Sequence, residues 1–280
     1  MTKVKNVIVI TGAGGGMGTA CIRALARMGE LILVDLNDAC LDRAKEGADR
    51  AGASATLVNC DVTRPADVQR LAEAISSGGA FRALVHTAGI SPQMADGKRV
   101  LDVDLVGTAR VLDAVLPLVR ANTAGVCIGS IAGYADFDPT LEAVLDDPLT
   151  PTFLDDVERL FGRPLDGDVG YVLAKKGVMR ICERLSKEWG AKGGRLVSIA
   201  PGLIDTGMGR LELANQEMMS AMAEATPVRR PGASPLPGHP DDIAQLVSFL
   251  CSDAASFISG CDVRVDGGLI GASRHMGPTG

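Results

Sequence analysis

The feature that most constrains this chain lies at its start. A β-branched run, Val7-Ile8-Val9-Ile10, passes into Thr11-Gly12-Ala13-Gly14-Gly15-Gly16-Met17-Gly18 and then into a helical pattern from about Gly18 to Met28. A strand that ends in spaced glycines and feeds a helix is the opening of a dinucleotide-binding βαβ unit. Gly12, Gly16 and Gly18 permit a tight turn and a close backbone approach. The helix N-terminus then offers free N–H groups and a positive dipole end to a pyrophosphate. No Lys-Ser/Thr pair closes the loop, which argues against a P-loop.

The rest of the chain repeats this rhythm. Leu31–Val34, Ala55–Cys60, Ala83–His86, Gly125–Gly129, Leu196–Ile199 and Asp262–Val265 read as further short strands. Helical patterns fall between them at Asp38–Ala51, Pro65–Ile75, Arg99–Arg120, Val172–Trp189 and Asp241–Cys251. Short apolar runs separated by amphipathic helices predict a parallel sheet buried on both faces. Right-handed crossovers make such a sheet doubly wound. There is no internal repeat or low-complexity linker. The expectation is one α/β domain over residues 1–280, a doubly wound Rossmann type with a seven-stranded parallel sheet and helices on both faces. Aromatic residues make up only 3% of the chain, so its core must be aliphatic.

Two segments interrupt the pattern. Residues 135–170 are acidic, yet carry Leu141, Val144, Leu145, Phe153, Leu154, Val157, Leu160 and Phe161 at helical spacing. One or two amphipathic helices inserted on the domain are expected there. Residues 203–240 hold Met208, Met218, Met219 and Met222 and end in a Pro/Gly stretch. Adaptable methionines suit a substrate lid over an apolar site.

Net charge is −6 without any basic tract, so no nucleic-acid partner is expected. The longest uncharged stretch, Asn6–Ile22, is broken by five glycines, so no membrane span is expected either. Seven cysteines show no C-x-x-C and no metal-like spacing with the three histidines. They read as free thiols in a reducing compartment, with no metal. No secretory signal precedes the first strand, so the expected location is cytoplasmic.

Asp35 ends the second strand, 17 residues after Gly18. A carboxylate there accepts from both adenosine ribose hydroxyls and repels a 2′-phosphate. No Arg or Lys stands in the glycine loop or directly after Asp35, so NAD is expected rather than NADP. Asn37 or Asp38 serves better as the cap of the following helix. Asp61-Val62 follows the third strand and either meets the adenine or caps a turn. Tyr171 and Lys175 are four apart on one helix and face the same way. An ammonium beside the phenol favours the phenolate and would bring proton exchange with an alcohol or carbonyl toward neutral pH. Ser130 ends the fifth strand, at the sheet edge where ligands bind.

With these residues in order, the sequence resembles the short-chain dehydrogenase/reductase family over nearly its whole length. The matching elements are Thr11–Gly18, Asp35, Asp61, Thr87-Ala88-Gly89, Ser130, Tyr171 with Lys175, Pro201-Gly202 with Thr206, and Asp266-Gly267-Gly268. The resemblance implies hydride transfer between nicotinamide and a carbinol carbon. Tyr171 would be the acid/base and Ser130 would orient the substrate oxygen. Lys175 would bind the nicotinamide ribose and lower the tyrosine pKa. The cofactor would be held by Gly12, Gly14, Gly15, Gly16, Met17 and Gly18. Further contacts would come from Asp35, Leu36, Asp61, Val62, Thr87, Ala88 and Gly89. Tyr171, Lys175, Pro201, Gly202, Ile204 and Thr206 would complete its site.

Three departures stand out. His86 replaces a family asparagine and reads as a core histidine. Asp104 stands where the family has a helix asparagine beside the lysine; it is kept as a catalytic member, although it could pin the lysine charge. Forty residues separate Ser130 from Tyr171, where the family commonly has about a dozen. That insertion is similar to one in the 3α-hydroxysteroid dehydrogenase/carbonyl reductase branch. It would reshape an oligomer interface or wall the substrate cleft, in a homodimer or homotetramer. The leading expectation is an NAD-dependent oxidoreductase for a secondary alcohol or ketone, with a hydroxysteroid or other bulky apolar alcohol suggested by the insertion and lid. The second is a catalytically weak NAD-binding sensor. The T-G-x-x-x-G-x-G spacing and short C-terminal region disfavour a nucleotide-sugar epimerase.

Overall fold

The computed structural model describes residues 5–215, 217–230 and 235–275. Gln216 and residues 231–234 of the expected lid lie outside the described residues, as do the ends of the expected 1–280 domain. The chain begins with β1 (Asn6–Thr11), α1 (Gly16–Leu25), β2 (Glu30–Asp35), α2 (Asp38–Ala51), β3 (Ala55–Asn59), α3 (Pro65–Gly78) and β4 (Ala80–His86). A long broken helix follows, as α4 (Gly97–Leu101), a π turn (Asp102–Val106) and α5 (Gly107–Val115). After β5 (Ala124–Ile128) come α6 (Pro139–Val144), α7 (Phe153–Phe161), α8 (Gly167–Ala191) and β6 (Arg195–Pro201). The chain closes with α9 (Gly207–Asn215), α10 (Glu217–Ala225), α11 (Pro240–Cys251), β7 (Asp262–Val265) and α12 (Leu269–Ser273).

All seven strands are parallel, in the order β3-β2-β1-β4-β5-β6-β7. The order reverses between β1 and β4, where Thr11 pairs with His86. Ligands of doubly wound sheets bind beyond the strand ends at such a switch point. Side chains of a strand alternate between faces. Accordingly Val7 and Val9 pack into the layer of α3, α5 and α8, while Ile8 and Ile10 pack into that of α1, α2 and α11.

The sequence expectation places a helix from Arg99; it starts at Gly97 because Asp96 accepts from the Arg99 N–H. The helix expected from Val172 starts at Gly167, capped by Asp166 on the Val169 N–H. The π turn was not expected, since no proline or glycine marks its start. It carries Asp104, and Gly107 just after it lies against Val62, where an added Cβ would be 2.6 Å from Cγ2.

The insertion holds two helices, α6 and α7. They bury Leu141, Leu145, Phe153 and Val157, while Leu160 stays exposed. Its acidity has a docking role. Arg180 on α8 forks onto both oxygens of Asp146 at 2.7 Å and reaches Glu142 at 2.9 Å. Lys98 pairs with Asp155 and Glu158. Arg180→Ala is expected to cost roughly 1 kcal/mol, since these pairs are part-exposed and only their bidentate geometry lifts them above an ordinary surface pair. Urea denaturation should register that loss, with faster amide exchange across 139–161.

Candidate active site

The first half of the site is the glycine loop. Gly12 has φ +63, a left-handed conformation that glycine adopts without strain. An added Cβ there would lie 2.8 Å from the Ala88 nitrogen. At Gly14 and Gly18 it would strike the Cys40 and Gly12 carbonyl oxygens. Gly15 and Gly16 are exposed. Gly15 caps α1 with no side-chain acceptor, and no acidic residue occupies the first turn. The α1 amides therefore have no side-chain partner, as a bound pyrophosphate requires.

Asp35 accepts from the Gly14 N–H at 2.9 Å and the Leu36 N–H at 2.8 Å, which aims its carboxylate across the loop. The Leu36 side chain is exposed. Asn37 caps α2, leaving Asp35 free of that task. Asp61 caps a turn through Oδ1, which accepts from the Thr63 N–H and hydroxyl at 2.9 and 2.7 Å. Val62 is buried against Gly107, and its carbonyl accepts from Arg110 at 3.0 Å. One residue escaped the sequence reading. Arg43 reaches back from α2 to the Gly14 carbonyl at 3.2 Å. Its signal was its i+3 relation to Cys40, which packs on the loop.

β4 delivers Thr87-Ala88-Gly89. The Thr87 hydroxyl donates to the Thr11 carbonyl at 2.7 Å, tying this segment to β1. His86 is buried, with Nδ1 2.9 Å from the Thr11 hydroxyl and Nε2 3.0 Å from that of Thr108. Burial, aided by the Lys175 charge, pushes its pKa down to about 3. It is a neutral core histidine, as expected. From β6, Gly202 packs on Asp266, and Ile204 bridges to Gly238. Thr206 is buried, with its methyl group over Gly16.

Ser130, Tyr171 and Lys175 converge. Ser130 follows β5 and accepts from the Ala132 N–H at 3.1 Å, and it lines the same cavity as Tyr171. The Lys175 ammonium lies 5.1 Å from the centre of the Tyr171 ring. It pairs with the buried Asp104 carboxylate at 2.8 Å. The other Asp104 oxygen accepts from the Ile90 N–H at 2.8 Å, so one carboxylate braces both the lysine and the loop after β4. Lys175 acts on the tyrosine in the expected direction, but burial outweighs it. Burial raises the Tyr171 pKa above its usual 10; Lys175 and Ser130 lower it, but Glu212 and Asp104 raise it again. The lysine charge is real but largely matched by Asp104.

A cavity of about 590 Å³ opens beside this group. Ser130 and Tyr171 line it together with Met17, Leu203, Leu236 and Ile270, and all four lid methionines contribute. No residue of α6 or α7 lines it; of residues 135–170 only Asp168, at the start of α8, does, while α6 and α7 dock on α8 and Lys98. Glu212 on α9 also lines the cavity and was missed. Its signal was a single acid in an otherwise acid-free helix, Gly207–Asn215. No helix among the described residues is long and apolar enough to cross a membrane.

Comparison with known proteins agrees with this geometry. Residues 6–139 match the family described as short chain dehydrogenase, and residues 163–270 match the one described as enoyl-(acyl carrier protein) reductase. The short-chain dehydrogenase/reductase bsc3 of Alternaria brassicicola is 30% identical over 95% of this chain and 96% of its own length. The 2-(S)-hydroxypropyl-CoM dehydrogenase 3 of Xanthobacter autotrophicus is 29% identical over 95% and 98%. Among solved structures, levodione reductase superposes with a TM-score of 0.75 at 25% identity, over 96% of this chain and 98% of that one. The chain belongs to the short-chain dehydrogenase/reductase family, whose oxidoreductases use a nicotinamide cofactor.

Proposed function

We propose that this protein is an NAD-dependent oxidoreductase that interconverts a secondary alcohol and its ketone. The observation that carries the reading is that Ser130 and Tyr171 share the wall of a large, mostly apolar cavity, with Lys175 beside the tyrosine ring. A nicotinamide cofactor held by the glycine loop, Asp35 and Lys175 would supply the hydride acceptor or donor. Ser130 holds the substrate oxygen by a hydrogen bond. In oxidation Tyr171 Oη takes the hydroxyl proton; in reduction it returns that proton to the carbonyl oxygen. Lys175 stabilises the phenolate, and Asp104 holds the lysine in place. The methionines of α9 and α10 exclude water and fit a bulky apolar substrate. The direct test is absorbance of the reduced nicotinamide with either cofactor against a panel of secondary alcohols. Turnover with NAD supports the reading; tight cofactor binding without turnover of any alcohol would identify a sensor instead.

The preference for NAD rests on Asp35, whose carboxylate faces the loop where an adenosine ribose would lie. Arg43 is engaged with Gly14 and Cys40 and makes no ion pair with Asp35 among the described residues. Asp35→Ser should lower kcat/KM for NAD roughly 10- to 100-fold, the worth of a charge-assisted hydrogen bond. The NADP value should rise as a repulsive charge is lost. An unchanged ratio between the two cofactors would count against Asp35.

A further inference from the structure

His86 stands in the middle of a chain of buried hydrogen bonds. Thr11, His86, Thr108 and Asp104 are all buried. The Thr11 hydroxyl lies 2.9 Å from His86 Nδ1, and His86 Nε2 lies 3.0 Å from the Thr108 hydroxyl. The Thr108 hydroxyl donates to the Asp104 backbone carbonyl at 2.5 Å. At the other end the Ala88 N–H donates to the Thr11 hydroxyl at 3.4 Å.

The protons fix the direction of this chain. A carbonyl only accepts, so the single Thr108 hydroxyl proton is committed to Asp104. Toward His86 that hydroxyl can only accept, and Nε2 must carry the imidazole proton. The ring is neutral, since burial and the Lys175 charge hold its pKa near about 3. Nδ1 is therefore bare and accepts from the Thr11 hydroxyl. The opposite tautomer would set two acceptors, Nε2 and Thr108 Oγ1, against each other.

Both ends of the chain belong to the site. Thr11 closes β1 just before Gly12, whose turn lies against Ala88. Asp104 sits in the π turn, and its carboxylate pairs with Lys175 and accepts from the Ile90 N–H, both at 2.8 Å. A π turn departs from the regular helical ladder, and there the Thr108 hydroxyl gives the Asp104 backbone a side-chain bond. A fully satisfied polar network in a low-dielectric interior rigidifies what it joins.

We propose that His86 is a positioning residue: as the Nε2–H tautomer it holds the Asp104 backbone, and through it Lys175, in register with the glycine loop. The inference deepens the alcohol/ketone reading, and its effect on turnover rests on that reading. His86 takes no part in the proton transfer.

The tautomer is read first, by imidazole nitrogen NMR on the wild-type full chain. The sequence has three histidines, and the signal lost in His86→Gln identifies the one in question. His86 should show a protonated Nε2, a bare Nδ1 and no titration between about pH 5 and 9. A protonated Nδ1, or a mixture of tautomers, would overturn the inference without need of a functional variant. His86→Gln and His86→Met then separate positioning from filling. The two side chains have nearly equal volume, but only Gln places an N–H near the position of Nε2. Were His86 a space-filler, the apolar Met would serve at least as well. Instead His86→Met should lower kcat roughly 10- to 100-fold, the scale of a small misplacement of reacting groups, with substrate KM little changed and faster exchange of the Ile90 amide. His86→Gln should stay within a few-fold of wild type in both readouts. Thr108→Val should match His86→Met, and combining the two should add no further loss. Equal behaviour of Gln and Met, or additive losses, would overturn the inference. Ile90 exchange needs no turnover. A split between Gln and Met there, in a protein that oxidises no alcohol, would uphold the positioning role and sink the dehydrogenase reading. Alcohol turnover that Gln and Met support alike would do the reverse.

Discussion

Tyr171→Phe should lower kcat by about 10²- to 10⁴-fold, the range that a positioned acid/base contributes, with cofactor affinity changed only a few-fold. The substitution removes one oxygen from a half-buried ring, and the Lys175 ammonium stays near that ring. The Ser130 hydroxyl keeps its bond from the Ala132 N–H. Steady-state rates beside calorimetric cofactor titration separate chemistry from binding. The wild-type pH profile carries the same argument. Tyr171 lies above 10 because burial outweighs Lys175. Oxidation needs the phenolate, which is populated as pH rises toward that value, so alcohol oxidation should climb steadily from pH 7 to 10. Reduction needs the protonated phenol and should stay level over the same interval. An oxidation profile already flat at pH 7 would mean that burial does not dominate in the working complex.

Asp104→Ala should be the most destabilising single change in the site. It removes the counter-ion of a buried ammonium and the acceptor of the Ile90 N–H together. Breaking a buried ion pair by removing one partner costs about 3–5 kcal/mol, chiefly because the other charge is left uncompensated. Denaturant titration of Asp104→Ala, Lys175→Met and the double variant Asp104→Leu/Lys175→Met measures this directly. The double variant should recover more than half of the loss, since no charge is then buried; additive losses would show that the pair is not the stabilising unit. Asp104→Asn keeps the shape and the acceptor while removing the negative charge. Because the Asp104 charge raises the Tyr171 pKa, the oxidation profile of Asp104→Asn should move to lower pH. A profile that does not move would reduce Asp104 to a purely structural brace.

Much of this arrangement was legible in the chain, because it depends on local rules. The alternation of short aliphatic runs with amphipathic helices requires a sheet covered on both faces, and Val7 to Ile10 divide between the two layers as their period of two demands. The glycine loop is read from spacing alone, since only glycine fits against the Ala88, Cys40 and Gly12 backbones. The four-residue spacing of Tyr171 and Lys175 places them on one face of α8 whatever surrounds that helix. The docking role of acidic residues 142, 146, 155 and 158 was not legible, because their partners Arg180 and Lys98 lie on other elements.

What the sequence by itself determined is therefore the backbone plan: a doubly wound sheet, a glycine loop after β1, and a serine, tyrosine and lysine delivered by β5 and α8. What only the tertiary structure decided is the electrostatic state of that site. Burial raises the tyrosine pKa, Asp104 matches the lysine charge, Asp61 is taken by Thr63, and Glu212 arrives from a distant helix with one oxygen unpaired. The reason is physical. Hydrogen bonds within a helix, strand or turn join near neighbours in the chain, whereas desolvation and Coulomb energy depend on which distant groups exclude water or bring charge within a few ångströms.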